Sequence, residues 1–482
     1  MQATGQATGD AVALPLDEPP RGTTARVVTI VAAAALGGFL FGFDTAVING
    51  AVDALRQGFG LGAGWTGFAV SCALLGSALG AWYAGRLADR YGRVRTMQVA
   101  AALLAASALG AGLAHGVATL VLWRVVGGLG VGVASVVAPT YIAEVSPARL
   151  RGRLGSMQQL AIVLGIFVAL LSDAWLAGAA GGAEHPLWLG LPAWRWMFLA
   201  MLLPALVYGA LVLGVPESPR HLVAKRRPGD ALRVLRQVLG LADEDALQRK
   251  LSEIEQSLRR EHAPRWRDLL GTRGGLLPVV WVGIALSVFQ QFVGINVIFY
   301  YSSTLWHSVG FSEADAFAIT VATSVINVAV TLVAIALVDR VGRKPLLVVG
   351  SAGMAATLAL MAWCFAQASG SGAALVLPGA WGPLALVAAN AYVIFFGLSW
   401  GPVVWVLLGE MFPNRIRAMA LAVAAAAQWL ANFAITSSFP AMAGLSLPFA
   451  YGVYAAFALA SLLFVLRFVR ETRGLELEQM RG

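Results

Sequence analysis

Apolar residues gather into twelve long stretches, near 27–51, 65–85, 96–114, 118–143, 154–180 and 194–215, then 275–301, 315–338, 345–368, 383–409, 418–440 and 446–469. A helix rises ~1.5 Å per residue, so ~20 apolar residues cross a bilayer core of about 30 Å. A barrel would need alternation, and a backbone in lipid must pair within its own segment. The pattern therefore predicts an all-α membrane protein. Six stretches, an interruption and six more divide the chain into a tail (1–26), a six-helix bundle (27–215), a linker (216–274), a second six-helix bundle (275–469) and a C-terminal tail (470–482). In the linker, Leu232, Leu235 and Leu239 follow Pro228-Gly229-Asp230, and Leu247, Leu251, Ile254 and Leu258 form a second stripe at helical spacing. These predict short amphipathic helices under the membrane domain. Fewer than about 60 residues make a marginal core for a separate catalytic domain.

Composition narrows the class further. Of 482 residues, 59% are hydrophobic and 12% charged, where a soluble domain has roughly 25% charged. That excludes a cytosolic enzyme and a disordered scaffold. The net charge of +9 is a topology signal, because nearly all the Lys and Arg fall in one alternating set of loops and the two tails. Only Arg56, Arg124 and Arg195 lie elsewhere. Cytoplasmic loops carry such an excess, so both termini are expected inside, and no nucleic-acid partner is implied. The first 26 residues, with Asp17, Glu18, Pro19 and Pro20, lack the plan of a cleaved signal. Cys72 and Cys364 sit in apolar stretches and are read as small buried hydrophobes. The five histidines are scattered, so no metal site is expected. With no Gly-x-x-x-x-Gly-Lys-Ser/Thr loop, ATP-driven pumping has no support, and neither an enzyme nor a cofactor is expected.

The halves repeat. Asp89-Arg90-Tyr91-Gly92-Arg93 returns as Asp339-Arg340-Val341-Gly342-Arg343, Glu144 with Arg151 as Glu410 with Arg417, and Glu217-Ser218 as Glu471-Thr472. Three matches in register indicate a duplicated six-helix unit, which places a binding site between the halves near the midplane.

Two charged residues lie deep in the spans. A charge at the bilayer centre costs at least ~2.5–3.5 kcal/mol, so each is a functional candidate. By helical rise, Asp44 lies ~25 Å up the first span and Arg124 about 9 Å below the far surface in the fourth, at nearly matching depths. A fixed ion pair that merely sets helix packing is the plainer reading. The functional one is an exchange of partners, since burial favours neutral Asp44 and Arg124 favours the carboxylate. Gln290 and Gln291 carry several donors and acceptors to satisfy in lipid, with Asn296, Tyr300 and Tyr301 following, Asn327 in the eighth span and Gln428-Trp429 in the eleventh. Such amides and rings suit sugar hydroxyls and C–H faces. Gly401-Pro402 is expected to weaken the tenth helix before Trp405, and Tyr300 and Tyr301 to close the seventh. Trp65, Trp188 and Trp306 read as interface anchors.

Four motifs, Gly85-Arg86-Leu87-Ala88-Asp89-Arg90-Tyr91-Gly92-Arg93, Pro216-Glu217-Ser218-Pro219-Arg220, Gln290-Gln291 with Gly294, Asn296 and Tyr300-Tyr301, and Glu471-Thr472-Arg473-Gly474, resemble those of the sugar porter family of the major facilitator superfamily. The resemblance covers residues 27 to 478. It implies a twelve-helix carrier in the cell (inner) membrane, a functional monomer, that imports a monosaccharide with a proton by alternating access. It places Gln159, Gln290, Gln291, Asn296, Asn327, Trp405 and Gln428 on a pyranose, with Phe41, Tyr300 and Trp429 near it. Proton-coupled members carry aspartate at the place of Asp44, and facilitative animal glucose carriers asparagine. At Ile166 a bacterial xylose–proton symporter of the family has a second glutamine and many glucose carriers have isoleucine, so a hexose such as glucose is favoured over xylose. Asp89, Arg93, Glu144 and Arg151, with Asp339, Arg343, Glu410 and Arg417, are expected to link the halves on the cytoplasmic side when the carrier faces outward and to separate when it opens inward. The rivals are a facilitative uniporter, a membrane sugar sensor and a drug–proton antiporter.

Overall fold

Among the described residues, twelve helices are long and apolar enough to cross a membrane. They are, in order, Ala25–Gly58, Ala63–Tyr91, Arg93–Gly112, Val117–Val145, Leu154–Ala180, Ala193–Leu213, Pro278–Ser308, Glu313–Val338, Arg343–Ala366, Trp381–Met411, Met419–Leu445 and Leu447–Phe468, here spans one to twelve. The structure is a computed structural model that describes residues 21–146, 151–239, 243–260, 266–271, 275–369, 376–413 and 416–471. Span starts carry local signals. Ser312 Oγ accepts from Asp315 N at 3.1 Å before span eight, and Ser446 Oγ accepts from Phe449 N at 3.3 Å before span twelve. The linker forms helices Pro219–Ala224, Pro228–Leu239 and Glu244–Arg260, with Ala231, Leu235, Leu247 and Leu251 buried on their inner faces.

The duplicated motif is duplicated geometry. Gly92 (φ 99°) joins spans two and three, and Gly342 (φ 107°) joins spans eight and nine, both in the left-handed region that favours glycine. At each junction a carboxylate from the end of the same half caps the next helix. Glu217 accepts from the N–H groups of Arg93 (2.9 Å) and Val94 (3.3 Å), and Glu471 from those of Arg343 (3.0 Å) and Lys344 (2.9 Å). Helix N-termini expose unsatisfied N–H groups and partial positive charge, which an anion satisfies.

Three features depart from the sequence reading. Span seven does not close at Tyr301; it breaks at Gly294 (φ 85°) and resumes to Ser308, which puts Tyr300 and Tyr301 inside the bundle. The carbonyl of Val293 freed by the break accepts from Tyr392 Oη at 2.8 Å. Span ten breaks at Ser399 (φ −131°, ψ −84°), and Pro402 falls in the first turn of the second segment, where a missing N–H costs nothing. Trp306 is not an interface anchor: it is buried against Phe311, ring centroids 5.6 Å apart, whereas Trp65 and Trp188 are exposed.

Candidate substrate and proton site

A cavity of about 400 Å³ lies between the halves, within the usual range of roughly 300–1,000 Å³ for small-molecule sites. All eleven residues expected around a sugar line it: Phe41, Gln159, Ile166, Gln290, Gln291, Asn296, Tyr300, Asn327, Trp405, Gln428 and Trp429. The helix breaks explain how. Gln290 Nε2 donates to the carbonyl of Trp400 (2.7 Å), next to the break of span ten. Its Oε1 accepts from Gln428 Nε2 at 2.6 Å, and Asn296 Nδ2 donates to Gln291 Oε1. Gln290 thus ties the start of the second segment of span ten to Gln428, and Gln291 holds Asn296. Gln428 Oε1 is buried with no hydrogen-bond partner among the described residues, as is Gln158 Oε1 across the cavity. Orphaned acceptors at a polar cavity wall suit a ligand rich in hydroxyl donors. The rings of Phe41 and Trp429 stand 5.5 Å apart, one from each half, and offer apolar faces beside the amides.

Gln158, Thr45 and Asn432 also line the cavity and were not singled out from sequence. Gln158 adjoins Gln159, and only packing decides that both neighbours on one helix reach the same space. Asn432 lies one turn beyond Gln428, the helical spacing that could have pointed to it.

Asp44 and Arg124 are brought together behind the cavity, both buried. Arg124 Nη1 donates to the backbone carbonyl of Asp44 at 2.9 Å and to its Oδ1 at 3.4 Å. Asp44 Oδ2 and Arg124 Nε have no hydrogen-bond partner among the described residues, and the guanidinium carbon sits 5.8 Å from the Phe198 ring centroid. Strong arginine–carboxylate pairs are short and two-pronged. This one is long and single, a contact that a small helix movement can break. Thr45, the next residue, faces the cavity.

A second buried acid was missed. Asp173 in span five is fully buried, and its Oδ2 accepts from Gly50 N at 3.3 Å. No cation pairs with it among the described residues, and a lone Asp in an apolar run is the signal that could have found it.

The face opposite the linker is closed. Asn49 Nδ2 donates to Phe299 O and Ser303 Oγ to Asn49 O, both at 2.9 Å, and Ala183 N donates to Glu313 Oε1 at 3.0 Å, each joining one half to the other. At the linker face the contacts described for the charge clusters lie within each half. Arg93 forks onto Glu144 (3.0 and 2.9 Å) and reaches Asp89 (3.2 Å), and Arg343 forks onto Glu410 (3.1 and 2.8 Å). Arg417 Nε donates to Phe412 O at 3.1 Å within the second half. The side chains of Arg151 and Asp339 lie outside the described residues. The cavity lining includes Ser135, Pro139, Gly155 and Trp405, on the linker-directed parts of their spans, so this conformer opens toward the linker face.

Known proteins match over nearly the whole chain. A glucose transport protein of Synechocystis sp. is 56% identical over 456 residues, covering 94% of this chain and 97% of its own. A D-xylose-proton symporter of Escherichia coli is 36% identical over 490 residues, 95% of each chain. A solved partially occluded inward-open conformation of the xylose transporter of E. coli superposes with TM-score 0.80 at 35% identity, covering 94% of this chain and 100% of that one. A family model described as sugar (and other) transporter matches residues 30–481. Fold, cavity and these matches agree: the chain is a multi-pass membrane transporter, not an enzyme, and belongs to the sugar (and other) transporter family.

Proposed function

We propose that the chain imports a monosaccharide together with a proton by alternating access, with a hexose such as glucose favoured over xylose. The carrying observation is the juxtaposition of an amide-lined cavity between the halves with the buried Asp44–Arg124 pair one residue behind it. The names of its relatives support sugar as cargo and a proton as co-substrate. The linker face and both termini are cytoplasmic in this reading, because the Lys and Arg excess lies there. One chain suffices, since both walls of the cavity belong to it.

The chemistry divides among named groups. Gln159, Gln291, Asn296, Asn327 and Gln428 present amides to the hydroxyls, and Gln290 holds Gln428 and the broken tenth span in place. Phe41, Tyr300, Trp405 and Trp429 cover the C–H faces, and Ile166 leaves out the amide that a pentose site would use. With the outer face open, Asp44 takes a proton and is released from Arg124. A neutral acid removes the charge that opposes rearrangement through lipid. When the linker face opens, the proton leaves and Arg124 returns to Asp44, the arrangement of this conformer. The charged groups Asp89, Arg93, Glu144 and Arg151, with Asp339, Arg343, Glu410 and Arg417, then exchange partners between and within halves as that face closes and opens.

A pH electrode in a weakly buffered suspension of proteoliposomes tests this. Adding glucose outside should raise the external pH, with xylose giving a weaker response. Sugar entry without a pH change would leave the facilitative reading, and no response of any kind to a monosaccharide panel would remove sugar as cargo.

A further inference from the structure

His221 lies in the first linker helix, outside the spans, and is buried although polar. Its ring fills the junction between spans two and three. Nδ1 is 3.3 Å from Arg93 Nη1, whose two protons it shares with Ala88 O at 3.1 Å and Asp89 Oδ1 at 3.2 Å, and an added Cβ at Gly92 would stand 3.3 Å from Nε2. Arg93 is the residue that forks onto Glu144 and reaches Asp89. Arginine only donates, so its contact with His221 is a hydrogen bond only when Nδ1 is bare and the ring proton sits on Nε2. A proton on Nδ1 turns that acceptor into a second cation beside the guanidinium.

The charged surroundings come from every side. Burial holds the ring's pKa below the ordinary 6.5; Glu217 before the helix opposes this, Arg93 of span three and Lys225 just after the helix add to it, and Asp89 of span two opposes it. Glu144 of span four reaches the ring through Arg93. The other two linker helices pack against this one with apolar Ala231, Leu235 and Leu247 buried.

We propose that His221 is a positioning residue for Arg93 and makes the charge cluster of the linker face responsive to the local proton concentration. The neutral ring is the form that supports the cluster. Its contribution is complete above the ordinary imidazole value and is lost as pH falls through the lowered one. Acid at this face therefore loosens Arg93 from the arrangement of the linker-open conformer. Where the carrier delivers protons to that side, which rests on the proposed symport, accumulated product slows further delivery.

Two measurements on the full-length protein decide this. In protein labelled with nitrogen-15 at histidine and arginine, with signals assigned by H221Q and R93K, His221 should titrate below its ordinary value, and the Arg93 side-chain signal should move with the same midpoint. An Arg93 signal indifferent to that titration, or Nδ1 protonated at neutral pH, overturns the proposal whether or not sugar is carried. In proteoliposomes, sugar exchange should fall by up to about fivefold, the size of one ordinary hydrogen bond, when pH at the linker face drops from about 7.5 to about 5. Glutamine keeps an acceptor without titrating, so H221Q should show less than half of that fall; H221N is the second variant if the first expresses poorly. An equal fall in both variants and the parent overturns the proposal, whereas absence of exchange at any pH counts against sugar transport and leaves the spectroscopic result to decide.

Discussion

The two halves share one framework and differ in what they hold. At the linker face they are nearly superimposable in chemistry: Gly92 and Gly342, Arg93 on Glu144 and Arg343 on Glu410, Glu217 and Glu471 capping the following helix. At the midplane they diverge. The first half contains the buried ions Asp44 and Arg124, and the second contains the amides Gln290, Gln291, Asn296, Asn327 and Gln428, the first three beside the break of span seven. Duplication preserved the hinge-like joints, whose geometry both halves need, and left the midplane free to specialise. Charge went to the first half and most of the hydrogen-bonding amides to the second, while Phe41, Thr45, Gln158 and Gln159 of the first half also reach the shared cavity.

The largest effect should come from the charged half. Asp44→Asn keeps the shape, cannot bind and release a proton, and should abolish sugar accumulation driven by a pH gradient while sparing sugar-for-sugar exchange. Undiminished uphill uptake in that variant would remove Asp44 from coupling.

In the amide half, Gln290 and Asn296 should separate. Gln290→Ala removes a donor to the carbonyl of Trp400 and the acceptor of Gln428 Nε2, roughly 0.5–1.5 kcal/mol for each bond, so both thermal stability and sugar affinity should drop. Asn296→Ala removes a peripheral amide and should weaken sugar binding by calorimetry with a smaller change in Tm. Equal destabilisation by the two would break the assignment of Gln290 as the anchor of the tenth span.

The shared joints offer a matched pair. Alanine at Gly92 would place Cβ 2.2 Å from Glu217 Oε2, and at Gly342 it would stand 2.8 Å from Glu471 Oε2. Both variants should lose roughly 1–3 kcal/mol through the left-handed backbone, the first more than the second because its carboxylate must move farther. Thermal unfolding in detergent measures the order, and the reverse order would mean that the joints are not equivalent.

The smallest effect belongs to Ile166→Gln. One added amide should shift the xylose-to-glucose affinity ratio toward xylose by about tenfold or less, the size of a single hydrogen bond. An unchanged ratio would take this position out of substrate selection.

Much of this was legible in the chain. Spans in lipid must be apolar along their whole length, so twelve of them stand out, and the linker helices declare themselves by their leucine stripes. The eleven cavity residues were nameable because polar side chains are costly in such spans and the motifs resemble a known family. What escaped was of another kind. Gln158 and Asn432 differ from neighbouring polar residues only in the direction they face. Trp306 was read as an anchor because its burial depends on Phe311 and the continuation of span seven past the break.

The sequence by itself determined the number of spans, the duplication and the identity of the rare polar groups, because a bilayer core penalises each such group wherever it lies along a helix. Only the tertiary structure decided which of them meet. Whether Arg124 finds Asp44, whether Arg93 folds back on Glu144 rather than across to the other half, and whether Gln290 serves the backbone or the cavity depend on helix rotation and on breaks such as Gly294 and Ser399. These are set by contacts between segments far apart in the chain, and no local pattern encodes them.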